Sequence, residues 1–209
     1  VKGSKDGKWI EYTSDGKLLV DGIYDIGTEW NGIFKGEYYF DGIKAEEHND
    51  YFADGGSTAK ISAKGLMIND SIKIGKWDFF RKDGSKKNSG DFDKNKKTGE
   101  WEYWYKSGDK EKVGFFRNDM MDGKWEGWYY SGQKFYVRTY KLGKKEGLWA
   151  WWNSDGSKKY EGMYLNDKKD GKWSQWNEKG DIIIEGSYYN DIKWSGIFED
   201  GRYYKGRMA

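Results

Sequence analysis

Short runs rich in aromatic residues recur along the chain, interleaved with polar side chains and broken by glycine. Aligned, the runs repeat every 24 residues: Trp77, Trp101, Trp125, Trp149 and Trp173, each with a glycine two places earlier. Periods of about 20–50 residues mark arrays in which one supersecondary unit is stacked many times. With each Trp as position zero, an aromatic stands at +3 (Phe80, Trp104, Trp128, Trp152, Trp176) and glycine at +7. Glycine returns at +13 (Gly90, Gly114, Gly162, Gly186), with Arg138 the exception, and an aromatic at +15 (Phe92, Phe116, Tyr140, Tyr164, Tyr188).

Positions +6 and +7 read Asp83-Gly84, Ser107-Gly108, Ser131-Gly132, Asp155-Gly156 and Lys179-Gly180. Asp-Gly or Ser-Gly between aromatic runs predicts a two-residue hairpin turn, because glycine accepts positive φ cheaply. Opposed positions then sum to 13, so Trp at 0 faces Gly at +13 and the +15 aromatic faces the Gly at −2. A large ring facing a residue with no side chain can lie across the neighbouring strand. Side chains alternate along a strand, so these four positions share one face, expected to hold a continuous stack of rings. The opposite face should carry the +3 aromatics among mixed residues at +1 and +10, with successive +3 rings about 10 Å apart. A longer loop such as Asn166–Asp170 is expected to lead into the next hairpin. The predicted fold is all-β: tandem antiparallel hairpins of about 24 residues in an elongated twisted sheet.

The ends echo each other. Asp6–Phe34 aligns without gaps on Asp170–Phe198, sharing Asp-Gly-Lys-Trp and closing in Gly-Ile-Phe. The chain therefore divides into N-terminal repeats over 1–40, a degenerate repeat or junction over 41–74, and the main array with a short C-terminal repeat over 75–209. The 41–74 stretch holds Asp54-Gly55-Gly56 and the single histidine.

Composition narrows function more by exclusion than by assignment. Lys and Arg number 37 against 35 Asp and Glu, a balance that argues against a dedicated nucleic-acid or anionic-membrane binder. With no cysteine there is no disulfide, thiolate metal site or cysteine nucleophile. The absence of proline suits uninterrupted strand pairing. His48, within Glu46-Glu47-His48-Asn49-Asp50, lacks metal-ligand spacing, and that polar run reads as a solvated loop. Asn118-Asp119…Asp122 and Asn166-Asp167…Asp170 offer oxygens for Ca²⁺, but their interleaved lysines fit turn chemistry better. No catalytic triad or phosphate loop is present, and no catalytic residue, metal or cofactor is expected. No stretch approaches the length of a membrane span. A chain starting at Val1 is compatible with a removed N-terminal segment, and with either a bacterial cytoplasm or a cell surface.

The pattern resembles MORN repeats. Trp194-x-Gly196-x-Phe198-x-x-Gly201 and Trp30-x-Gly32-x-Phe34 are similar to the short form. The Asp-Gly-Lys-Trp-x-x-Trp/Tyr pattern at 6–12, 122–128 and 170–176 is similar to a longer bacterial variant found in the YwqK antitoxin family. The resemblance covers most of 6–40 and 75–207, with Arg138 and residues 41–74 departing from it. It implies tandem hairpins that act as an interaction scaffold, with lipid or protein binding in some eukaryotic members. The antitoxin label implies sequestration of a partner protein.

The leading expectation is thus a non-enzymatic scaffold for protein–protein interaction, with open sheet edges also able to pair with a second copy. The alternative is a carbohydrate-binding module. The candidate binding residues in either case are Phe80, Trp104, Trp128, Trp152 and Trp176, since the Trp77–Trp173 series is expected to be packing.

Overall fold

A computed structural model describes residues 7–25, 28–34, 37–53 and 59–208. The fold is all-β: nineteen strands and no helix among the described residues, built as successive antiparallel hairpins. Asp6 and Asp54-Gly55-Gly56 lie outside the described residues. Two compact units are present, residues 1–84 with 92–95, and residues 85–91 with 96–209.

The first unit contains β1 (Gly7–Tyr12), β2 (Leu18–Asp25), β3 (Thr28–Phe34), β4 (Glu37–Phe40), β5 (Ile43–Tyr51), β6 (Ile61–Ile68) and β7 (Ile72–Phe80), each antiparallel to the next. Its core is local: Ala63, Met67 and Trp77 pack with Phe79 and Phe92, while Ala45, Ile68 and Ile74 form a second cluster. The polar run Glu46–Asp50 is not a loop. It lies in β5, where His48 pairs with Gly65 and its ring approaches Trp77 at 6.1 Å, so alternation half-buries His48 and leaves Glu47 and Asn49 exposed.

Strand β8 (Lys86–Asp93) is divided between the units. The second unit continues with β9 (Lys96–Trp104), β10 (Lys110–Arg117), β11 (Met120–Trp128), β12 (Lys134–Lys141), β13 (Lys144–Trp152), β14 (Lys158–Leu165), β15 (Lys168–Trp176), β16 (Ile182–Tyr189), β17 (Ile192–Phe198), β18 (Gly201–Tyr204) and β19 (Arg207–Met208). The expected register holds. Trp101 pairs with Gly114, Trp149 with Gly162 and Trp173 with Gly186, while Phe116 pairs with Gly99 and Tyr164 with Gly147.

The turn that produces this register differs from the expected one. Asn153 donates its N–H to the Ser157 carbonyl and accepts one from Gly156, which leaves a three-residue loop with Gly156 at φ 88°. Trp152 therefore pairs with Lys158, but Trp151 pairs with Tyr160, so Lys159 is bulged out. The extra loop residue and the bulge together restore the sum of 13. The same arrangement bulges Glu111, Phe135 and Ile183. The expected longer loop over Asn166–Asp170 is absent. Asn166 and Asp167, at φ 49° and 69°, make a two-residue turn between β14 and β15, and Asn118-Asp119 and Asn190-Asp191 do the same.

These turns also clasp their neighbours. The Asp167 N–H reaches the Lys145 carbonyl at 3.0 Å, and its carboxylate accepts the Lys145 N–H at 2.8 Å. Asp119 holds Lys97, and Asp191 holds Lys169, in the same way.

The Gly-x-Trp motif performs the packing between hairpins. Gly123 and Gly171, both at φ 79°, make a bulge against the preceding strand: Gly114 pairs with Trp125, yet the next pair is Phe115–Asp122. The bulge frees a carbonyl, and the indole caps it. Trp125 Nε1 donates to the Phe115 oxygen at 3.1 Å, and Trp173 Nε1 to the Met163 oxygen at 2.9 Å. Each ring then lies flat over the glycine of the preceding hairpin, so a methyl at Gly114 would overlap Trp125 and one at Gly162 would overlap Trp173. Edge-to-face contacts join these rings to the +15 aromatics, as in Tyr164–Trp173 at 5.2 Å. Trp101, Trp125, Trp149 and Trp173 are 1%, 1%, 4% and 5% exposed. Burying an indole removes roughly 200 Å², or about 5 kcal/mol gross at 25 cal/mol per Å², well above what an exposed ion pair contributes.

Arg138 shows how one glycine can be dispensed with. The Tyr136 ring lies over Gly127 instead, supplying another ring–glycine pair, and the Arg138 guanidinium settles 4.1 Å above Tyr136 and 5.0 Å from Trp151.

Gly162→Ala is expected to cost about 1–3 kcal/mol through overpacking and to red-shift tryptophan emission as Trp173 is displaced. Gly180→Ala meets no atom within 4 Å but has φ 85°, so it should cost about 1 kcal/mol through backbone strain alone. Denaturant unfolding read by fluorescence separates the two, since the second variant should leave the native emission unchanged.

Candidate functional site

Strand alternation sorts the second unit into two chemically different faces. The +3 aromatics stand on the face opposite the buried Trp row, and all five are half-buried. Lysines lie over several of them: Lys86 over Trp104 at 5.2 Å, Lys134 over Trp152 at 6.0 Å and Lys158 over Trp176 at 5.4 Å, while in the first unit Lys64 lies over Phe80 at 5.7 Å. Four glutamates of this face are paired there. Lys110 meets Glu102 at 2.7 Å, Lys134 and Lys124 share Glu126 at 2.8 and 3.1 Å, and Lys172 meets Glu185 at 2.7 Å. Lys158 meets Glu161, also at 2.7 Å.

The Trp face is cationic and mostly unpaired. At position −4 stand Lys97, Lys145 and Lys169, with Met121 taking the same slot in the intervening hairpin. Their ammonium groups lie over the buried rings: Lys97 4.4 Å from Trp101, Lys145 5.1 Å from Trp149 and 4.9 Å from Tyr164, Lys169 4.4 Å from Trp173. None of the three makes an ion pair with a carboxylate among the described residues, whereas Lys193, next in the row, pairs with Asp200. Arg138 adds a fourth cation whose Nε is buried without an acceptor. Glu111 is already held by Lys112 at 3.7 Å.

A groove of about 430 Å³ opens on this face between Lys145, Lys159 and Lys169, over Trp151, Tyr160 and Tyr164. Every charged residue that lines it is a lysine. Trp151 and Tyr160 stack at 4.4 Å with 28° between planes. Lys159 sits here, and Phe135 packs on Tyr136 at 5.4 Å. Position +10 was expected among the +3 rings; the bulge turns these two side chains to the Trp side, because successive residues at a bulge lose strict alternation.

Burial depresses the Lys169 ammonium below its usual range, against the nearby Asp191 carboxylate that raises it, with Lys145 and Lys193 lowering it further. Lys97 is depressed by burial too, opposed by Asp119. Burial also pushes the Tyr103 phenol up to about 12. Among the described residues no group of three His, Asp or Glu side chains is placed to hold a metal ion. His48 meets Asp50 at 3.1 Å. The Asp119 and Asp167 carboxylates accept backbone N–H groups, which is turn chemistry. No helix among the described residues is long and apolar enough to cross a membrane.

The chain matches no family model and no curated protein.

The sequence reading missed the Lys97, Lys145 and Lys169 row and the Trp151–Tyr160 pair. The lysines were within reach, since they recur at the same 24-residue step as the tryptophans. Trp151 and Tyr160 carry only a broken periodic signal: Phe79 and Tyr103 share the slot of Trp151, but Gly127 and Gln175 occupy it in the flanking hairpins.

Alkaline titration tests this electrostatic picture. The unfolded Tyr103 phenol ionises near 10 and the folded one near 12, so this group makes folding less favourable as pH rises between those values. Lys97 and Lys169 act oppositely: holding them charged costs stability at neutral pH, and the cost is relieved as pH climbs from their folded values to about 10.5. Tyr103→Phe should delete the latest phenolate step in ultraviolet absorbance and flatten the loss of stability above about pH 10. An unchanged absorbance titration would contradict the burial assigned to Tyr103.

Proposed function

We propose that this protein is a non-enzymatic repeat scaffold that holds a partner protein, in the manner of an antitoxin-like sequestering protein. The observation that carries the reading is the repetition of one chemical unit, hairpin after hairpin, with its largest rings committed to packing and its charged side chains set out in register. Such a surface offers many equivalent weak contacts to an extended partner, the usual logic of repeat arrays. The resemblance of Trp194–Gly201 and of the Asp-Gly-Lys-Trp segments to MORN repeats supports the same reading. Exposed strand edges give a second copy of the chain a competing way to pair.

A carbohydrate-binding module is the second reading, favoured by the half-buried +3 rings Phe80, Trp104, Trp128, Trp152 and Trp176. The two readings separate experimentally. Tagged protein mixed at low salt with lysate of its native host should retain a specific protein in stoichiometric amount; retention of none would count decisively against the scaffold. Trp128→Ala with Trp152→Ala should leave that retention intact when the partner sits on the Trp face, and weaken it when the +3 face is the site. If the same double change instead abolishes binding on a glycan array, the carbohydrate reading replaces it.

A further inference from the structure

The small net charge of +2 conceals a separation of charge between the two faces of the second unit. Most lysines of the +3 face are neutralised by glutamates at 2.7–3.1 Å. The Trp face keeps Lys97, Lys145 and Lys169 without an ion-paired carboxylate, a buried Arg138 Nε without an acceptor, and a groove whose charged lining is entirely lysine. Nearby carboxylates such as Asp119 and Asp191 accept backbone N–H groups and form no ion pair with these half-buried ammonium groups, which therefore carry a desolvation cost that an incoming anion would offset. The spacing specifies what kind of anion. Slot −4 recurs once per hairpin, every two strands, or roughly 10 Å at a strand spacing of about 4.8 Å.

We propose that the Trp face of the second unit binds an extended acidic segment of a partner protein, with a carboxylate at about every third residue over the slots of Lys97, Lys145 and Lys169. This rests on the scaffold reading and names the face and the partner chemistry. A polyproline II segment advances about 3.1 Å per residue with three residues per turn, so side chains three apart point the same way about 9 Å apart. That matches the step of the slots. Stacked nucleobases fit less well, because Trp101, Trp125, Trp149 and Trp173 are no more than 5% exposed and three of them already lie under lysine. The fold itself supplies the neutral variant: Met121 occupies this slot and packs against the Trp125–Trp149 cluster, so methionine preserves the covering of the ring and removes only the charge.

The test uses the full chain and a twelve-residue probe, Glu-Pro-Pro repeated about four times to span the four slots, measured by calorimetry at low salt. The controls are a peptide of equal composition with its glutamates adjacent, a Lys-Pro-Pro repeat, a thymidine oligonucleotide and anionic phosphatidylserine vesicles. The spaced acidic peptide should bind tightest. Lys145→Met and Lys169→Met should each weaken it about threefold, the size of a modest ion pair, and Met121→Lys should strengthen it by a similar factor. Lys110→Met and Lys172→Met, on the other face, should change nothing. Raising the salt to about 1 M, where the screening length falls to about 3 Å, should abolish binding.

Equal affinity for the two acidic peptides, or no gain from Met121→Lys in a variant whose circular dichroism is native, overturns the proposal. Tighter binding to the oligonucleotide or the vesicles overturns the assignment to a peptide. If a host protein is captured equally well by the Lys145→Met, Lys169→Met double variant, the scaffold reading stands and the cationic face is not its site.

Discussion

An indole laid across a glycine of the preceding strand, with its N–H on the carbonyl that the adjoining bulge sets free, is the interaction on which the rest of this protein depends. A single sheet has no second layer to press against, so its rings must be covered from within the sheet. Trp125 over Gly114 and Trp173 over Gly162 achieve this by placing the ring where a side chain is missing. The glycine at −2 makes it possible, since a bulge with φ near 79° bends the chain into position and exposes the carbonyl. The cost of an unpaired carbonyl is cancelled by the same side chain that gains the burial.

Because the device joins one hairpin to the one before it, the array grows by nearest-neighbour contacts, and everything else can vary. Residue 138 demonstrates the tolerance. Arginine replaces the required glycine there, yet Tyr136 over Gly127 keeps one ring–glycine pair in that hairpin. The constraint is therefore a count per hairpin and not a fixed position, and the displaced arginine becomes available as a cation on the Trp face. The turns add a second link, in which Asp119, Asp167 and Asp191 tie each tip to a lysine of the neighbouring hairpin.

Much of this was legible in the sequence because size complementarity leaves periodic traces. Trp at 0 against Gly at +13, and the +15 ring against Gly at −2, could be paired by counting. The turn could not be counted, because two deviations cancel. A three-residue loop and a bulged residue at Lys159 give the same register farther out as a plain two-residue turn. Only the residues between the turn and the bulge reveal the difference, which is why Phe135 and Lys159 were assigned to the wrong side. Asn166–Asp170 misled for a related reason: its first two residues suffice for a turn when both adopt positive φ, and the other three begin the next strand.

The candidate site was harder to read, and the obstacle was averaging. A count of 37 basic against 35 acidic residues describes the chain, whereas recognition depends on one face at a time. Strand alternation sends +1 and +12 to one side, where glutamates meet lysines, and −4 to the other, where ammonium groups meet rings. The same alternation that buries the tryptophans thereby segregates charge, since a row of electron-rich rings favours cations above it and disfavours carboxylates. Packing and electrostatics are thus not independent here. Choosing tryptophan to hold the sheet together also selects lysine as its cover, and repeating the hairpin turns that local preference into a line of positive charge at a fixed spacing.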